Sequence, residues 1–313
     1  MNPLAQRLAE RAGHPELIEL LSEHLAGTEL NTLLLEVFQR RAQNLSPGAL
    51  MHHYRTNRFV RPSSADAIGM RRFSLEWMQS AHEAGFGMIE LSPVCPLGTC
   101  SVVATAHQNK VVSALRGTEV VADATNVLAL ESVLRRSEQQ YPAAAMHCGA
   151  VHRHVRSQEI PKVKGFSAHF AVLALSTAGR DTGDFNFEKA AVLHHFRFFN
   201  QEFKRLGLGP VSFHLIPAGT SGIRDRLNQT MIEFLRREMP DSRIERAPEQ
   251  ARQSYYHALQ YKIRITMPGG AEIEIADGGF TNWTQILSGN QKERFLISGM
   301  GLELLYKLLN GQM

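Results

Sequence analysis

Apolar residues recur at helical spacing near the start of the chain: Leu17, Leu20, Leu21 and Leu25, then Leu30, Leu33, Leu34, Val37 and Phe38. That period predicts two or three amphipathic helices over residues 3–43, with Pro15 and Pro47 where helices start or connections turn. A polar, basic link, Tyr54 to Ser63, follows. Residues 1–65 are therefore expected as a helical N-terminal extension and residues 66–313 as the main domain. The link reads either as a surface connection or as a basic arm reaching a site. Phe73, Leu75, Trp77, Met78 and Ala81 then predict a helix over Arg71 to Ala84, with Gly85 as its C-cap. A strand over Gly85–Leu91 closes at Pro93.

Further strands are predicted at Lys110–Leu115, His152–Glu159, His169–Leu175, Val211–Ile216 and Leu259–Ile265. Helices are predicted at Val127–Arg136, with Asp123 or Thr125 as N-cap, at 187–206 and at Asp225–Glu238. Residues 185–250 carry no readable chemistry and are expected as an inserted subdomain. The last forty residues are the most patterned. Glu272-Ile273-Glu274-Ile275 alternates as a strand and is expected to break at Asp277-Gly278-Gly279. A polar loop, Thr281 to Thr284, leads to Phe295-Leu296-Ile297, then Gly299-Met300-Gly301, then a helical run of Leu302, Leu305, Leu308 and Leu309. A strand passing through Gly-x-Gly into a helix either exposes N–H groups to an anion or simply packs closely through glycine.

Composition narrows the class. With 313 residues and 43% hydrophobic content the chain can bury a sizeable core. A formal charge of +4 without a Lys/Arg block argues little for nucleic acid. Three cysteines, an odd count without a repeated C-x-x-C, suit a reducing compartment. No apolar run reaches the ~20 residues that span a bilayer, and Met1 to Gly13 lacks a signal-peptide core. A cytoplasmic protein without a membrane partner is expected. His147, Cys148, His152 and His154 offer metal-binding chemistry at spacings that fit no standard zinc pattern, so no metal is assigned to them.

Helix, glycine, strand and terminal proline over Arg71–Pro93 resemble motif 1 of the class II aminoacyl-tRNA synthetases, commonly GFxEVxTP. Val155-Arg156-Ser157-Gln158, a loop, and His169-Phe170 resemble motif 2, and Gly299-Met300-Gly301-Leu302-Glu303-Leu304 resembles motif 3, GxGxER. The histidyl subgroup adds a strand ending in LRPEGT, similar to the stretch holding Glu119, Asp123 and Thr125. It also adds an RGLDYY segment similar to Arg252–Tyr256 and a GGRYD turn similar to Asp277–Thr281.

The resemblance covers residues 71–309 and implies an α+β fold: a mixed, mainly antiparallel sheet flanked by helices. It implies ATP with Mg as cofactor and an amino acid or amino-acid-like small molecule as ligand. Arg156 would meet the α-phosphate and Arg252 would assist activation. Gln158, His169, Phe170, Gly299 and Gly301 would hold the nucleotide. Glu119, Asp123, Thr125, Tyr255, Tyr256, Gly278 and Gly279 would line the amino-acid pocket. Motif 1 implies a homodimer. Two departures bear on activity. Gln158 stands where glutamate is usual, and Leu304 stands where motif 3 carries an arginine against the γ-phosphate. No C-terminal anticodon-binding domain follows motif 3 in this sequence, so charging of ordinary tRNA is not expected. An activating ligase for another acceptor and a silent paralogue serving a protein partner, like the histidyl-synthetase-like subunit of ATP phosphoribosyltransferase, both remain open.

Overall fold

The computed structural model describes residues 2–159, 166–219, 222–248 and 255–313. The N-terminal extension holds α1 (Pro3–Arg11), α2 (Leu17–Glu19), α3 (Gly27–Gln43) and α4 (Pro47–Thr56). The starts of α1 and α4 are capped by side chains. The Asn2 side chain accepts from the Leu4 N–H at 2.9 Å and Ser46 Oγ from the Ala49 N–H at 3.1 Å. Within these four helices Ala9 is the one buried residue, and Leu33, Val37 and Phe38 of the apolar stripe stay exposed.

The main domain begins with α5 (Ala67–Glu83), β1 (Gly87–Met88), β2 (Val94–Pro96), β3 (Thr118–Val120) and α6 (Ala124–Glu138). The two long strands β4 (Met146–Val155) and β5 (His169–Arg180) follow, then α7 (Asn186–Arg205), β6 (Val211–Pro217), α8 (Arg224–Glu238) and β7 (Arg243–Arg246). The chain closes with β8 (Leu259–Thr266), β9 (Glu272–Thr281), α9 (Trp283–Ser288), β10 (Glu293–Met300) and α10 (Leu302–Leu309). Eight strands form one sheet in the order β1-β4-β5-β10-β9-β8-β6-β7. Only the outermost pairs, β1 with β4 and β6 with β7, are parallel; the five pairings between them are antiparallel.

One sheet face is closed by α5, α7, α8 and α10. Met70, Phe73, Trp77 and Ala81 follow the i, i+3, i+7 rule along α5 and are buried there. Trp77 meets Phe198 and Phe203 of α7, each with ring centroids 5.9 Å away. Residues 185–250, expected as an inserted unit, supply α7, β6, α8 and β7. β6 pairs with β8 within the main sheet, and Phe196 of α7 stacks on Phe213 of β6 at 4.2 Å. On this same face a polar chain crosses the sheet. His147 Nδ1 bonds Thr177 Oγ1 (2.8 Å), which bonds His195 Nε2 (2.9 Å), while His195 Nδ1 reaches Ser298 Oγ and Ser298 reaches the Tyr261 hydroxyl. Burial therefore leaves His195 neutral, its pKa well below the ordinary value.

Three local expectations change. Lys110–Leu115 is not a strand: Ser113 makes an isolated bridge to Glu119, and Arg116 and Gly117, both at φ 65°, reverse the chain at once. The strand before Pro93 shortens to Gly87–Met88. Asp277-Gly278-Gly279 does not break its strand, and β9 runs straight through it. These glycines answer to close approach instead. A Cβ on Gly278 would stand 2.4 Å from the Tyr261 hydroxyl, and one on Gly279 would stand 2.6 Å from the Tyr256 ring.

The packed face converges on Glu303, in the first turn of α10. Its carboxylate accepts from Ser63 Oγ (2.5 Å) and the Ala171 N–H (3.2 Å), and it pairs with Lys307 Nζ and Arg153 Nη1, each at 2.8 Å. Burial pushes this carboxyl up, but the bonds from Lys307 and Ser63 and the Arg153 charge bring it below the ordinary range. Glu303→Gln should cost about 3–5 kcal/mol, because it strips buried Lys307 of this counter-charge. Urea denaturation at neutral pH measures the loss. A group with a lowered folded pKa stabilises above its unfolded pKa and loses that contribution as acid protonates it. The gap between the two proteins should therefore shrink below about pH 4.

Candidate functional site

On the opposite face, α6 and α9 cover only part of the sheet, and a cavity of about 500 Å³ opens over β4, β5, β9 and β10. Strand alternation decides which side chains enter it. Arg156 follows β4, Phe170 comes from β5, Ile275 and Asp277 from β9, and Ile297 and Gly299 from β10. Asp123, Thr125 and Asn126 at the start of α6 form one wall, with Tyr255 and Tyr256 beside them.

Asp123 is the best-supported acid. Its Oδ1 accepts from Thr125 Oγ1 (2.7 Å) and the Thr125 N–H (3.0 Å), and its Oδ2 accepts from the Tyr255 hydroxyl (2.9 Å). Arg156 Nη2 stands 3.6 Å from Oδ2, while Arg156 Nε donates to the Ala122 carbonyl at 2.9 Å. Burial alone would raise the Asp123 pKa, but Arg156, His154 and the Thr125 bonds hold it below the ordinary value. The carboxylate is charged at neutral pH and braced in one orientation. The Arg156 guanidinium also lies 5.4 Å from the centre of the Phe170 ring, a cation–π distance.

Asp277 differs. Its Oδ2 accepts from the Tyr256 hydroxyl at 3.2 Å, and among the described residues it forms no ion pair. Enclosure by protein, together with the Asp123 charge, raises its pKa to about 6 although the carboxylate faces the cavity. His154 is buried beside Asp123. Its Nε2 accepts from the Ala124 N–H (2.9 Å), which assigns the proton to Nδ1, and Nδ1 has no hydrogen-bond partner among the described residues. Burial lowers its pKa to about 3, so the ring stays neutral.

No protein-family model and no curated protein matches the chain. Solved structures do match it. An ATP phosphoribosyltransferase regulatory subunit/histidyl-tRNA synthetase from Bacillus halodurans C superimposes with a TM-score of 0.60 at 13% identity, covering 80% of this chain and 83% of the other. The apo histidyl-tRNA synthetase of S. aureus gives 0.60 at 11% identity, covering 81% and 70%. The RNA-binding domain of threonyl-tRNA synthetase from Cryptosporidium parvum Iowa II gives 0.62 at 8% identity, covering 78% and 64%. The fold is that of the class II aminoacyl-tRNA synthetases.

Set on that synthetase fold, the three motif segments occupy the expected neighbouring elements: α5 and β1, β4 and β5, β10 and α10. Asp123, Thr125, Arg156, Gln158, Phe170, Tyr255, Tyr256, Gly299 and Gly301 all border the cavity. Glu119 does not: its buried carboxylate accepts from the Gly98 and Cys100 N–H groups (2.9 Å each) and from Gln108 Nε2 (2.7 Å). His169 also lies outside, donating from Nε2 to the Arg61 carbonyl at 2.5 Å. Gly278 and Gly279 act from behind by making room for Tyr261 and Tyr256. Arg252 lies outside the described residues.

Sequence reasoning missed Asp277 as a site residue: a register shift in the β8–β9 pairing puts it opposite Lys262 while Ile273 lies opposite Ile265 in the helix-side core, so simple alternation from Ile273 did not point to the cavity. It also missed Asn126 and the orphaned His154 nitrogen, for which spacing gave no signal.

The basic link meets the backbone beside the cavity but does not line it. Arg58 donates to the Ser157 carbonyl (2.6 Å) and the Gln158 carbonyl (2.9 Å), clamping the extension to the strand end that follows Arg156. Arg58→Ala should make residues 44–65 cleave several-fold faster under limited proteolysis while leaving the global melting temperature nearly unchanged, since little apolar surface is buried there. An unchanged cleavage rate would show that the clamp does not hold the arm.

Proposed function

We propose that this chain is an amino-acid-binding protein derived from the synthetase fold, acting as a regulatory or partner-binding subunit. The observation that carries the reading is Asp123, ionised and braced by Thr125 and Tyr255 beside Arg156 in an open cavity. A fixed carboxylate next to a fixed guanidinium complements the α-ammonium and α-carboxylate of a zwitterion at small reorganisation cost. The B. halodurans neighbour carries both a regulatory-subunit and a synthetase description, which is consistent with either fate for this architecture.

ATP with Mg is the cofactor the fold implies, and the described residues fit it only in part. Arg156 and Phe170 suit an adenosine monophosphate group. The triphosphate finds less support: Leu304 packs against the helix-side core, and Lys110 and Arg156 are the only cations bordering the cavity among the described residues. Losing one preorganised charge contact typically costs on the order of 10²–10³ in rate. ATP–pyrophosphate exchange should therefore be absent or feeble with every standard amino acid, while an amino acid still raises the melting temperature by binding the native state. Asp123→Asn should abolish that shift. Robust exchange would instead favour the second reading, acyl-adenylate formation for a non-tRNA acceptor, with Arg252 as the added cation.

Two copies would associate through α5 and the β1 edge, where Ile68 and Leu75 present apolar side chains to solvent. Light scattering at micromolar concentration should give twice the monomer mass, and Leu75→Glu should reduce it to one. A stable monomer of the unmodified chain would remove motif 1 as an interface.

A further inference from the structure

The two acids of the cavity are not equivalent. Asp123 already has its charge partner in Arg156, whereas Asp277 has one neutral partner, the Tyr256 hydroxyl, and no described cation. Lys262, opposite Asp277 in the β8–β9 register, is turned to Glu274, 2.7 Å from its Nζ. On the other flank Asp277 faces Gly299. A Cβ there would lie 3.8 Å from Asp277 Oδ1, so the glycine leaves clear the space beside that oxygen. Glu274, the third acid of the lining, is answered by Lys262 and Arg264, while Lys110 is solvent-exposed. Asp277, itself open to solvent, is thus the lining carboxylate that no described cation pairs, and a ligand cation placed against it would gain a charge-assisted hydrogen bond.

Building on the amino-acid reading, we infer that the ligand carries a second cationic nitrogen: a basic amino acid whose side-chain ammonium or guanidinium lies against Asp277 while its α-ammonium lies against Asp123. Such a ligand has two positive groups and one carboxylate, the complement of the two aspartates and Arg156. The consecutive tyrosines enforce the division. Tyr255 braces one acid and Tyr256 the other, and their rings pack edge to face with centroids 4.9 Å apart, so neither acid turns without disturbing its neighbour. Desolvation and the Asp123 charge raise the Asp277 pKa, and a bound ammonium would lower it.

Calorimetric titration of the full chain with lysine, ornithine, norleucine and glutamine tests this. Lysine or ornithine should bind roughly ten- to a hundredfold more tightly than norleucine, the scale of one charge-assisted hydrogen bond. In Asp277→Asn that ratio should fall to about one. Equal affinity for lysine and norleucine in the unmodified chain overturns the inference and leaves the amino-acid reading standing. A preference that survives in folded Asp277→Asn overturns it as well. If no amino acid binds at all, both fail. The comparison on the unmodified chain decides the matter even if Asp277→Asn does not fold.

Discussion

A single buried carboxylate, Glu303, ties together parts of the chain that are otherwise far apart. It binds the end of the N-terminal extension through Ser63, β4 through Arg153, β5 through the Ala171 N–H and its own helix through Lys307. A charge removed from water is tolerable only when its lone pairs are filled, and here four donors fill them. The outcome is geometric as much as energetic. α10 starts at a set height above the sheet, and Gly299 and Gly301 meet the cavity where the strand gives way to the helix.

The cavity depends in turn on what lies behind its floor. The chain His147–Thr177–His195–Ser298–Tyr261 crosses the sheet on the helix side and ends at the Ile297 carbonyl, 3.0 Å from the Tyr261 hydroxyl. Polar groups in a low-dielectric core hold their geometry because leaving any of them unpaired is costly. Two glycines make the arrangement sterically feasible, Gly278 for Tyr261 on one face and Gly279 for Tyr256 on the other. A stiff floor on one side and paired tyrosines on the other hold Asp123 and Asp277 as separate acids.

Elements whose pattern is local were legible in the sequence. The apolar stripe of α5 and the period of α7 and α8 were read close to their observed limits, whereas β4 was expected at His152–Glu159 and runs over Met146–Val155, and β5 continues past the expected Leu175 to Arg180. The β1 edge and the turn at Arg116 were not, since their conformation depends on β4 and on two adjacent positive-φ residues. Periodicity over residues 17–38 located helices but could not say what their apolar sides face. In the site, Asp123, Thr125, Arg156 and the tyrosines followed from family-like motifs. Glu119 carried the right chemistry, but its hydrogen bonds go to Gly98, Cys100 and Gln108, well separated in sequence. Asp277 was hidden by its glycines, which read as a turn until Tyr261 and Tyr256 explained them.

The clamp between the extension and the site is made with backbone atoms on the sheet side. Arg58 holds the carbonyls of Ser157 and Gln158. Recognition of this kind is indifferent to residue type. The Gln158 side chain, which borders the cavity, can therefore be exchanged without releasing the arm, while the arm fixes the path of the backbone that carries it. Attachment of the arm and exposure to the cavity sit on one residue yet are chemically separable, so the side chains bordering this cavity can drift while its architecture stays in place.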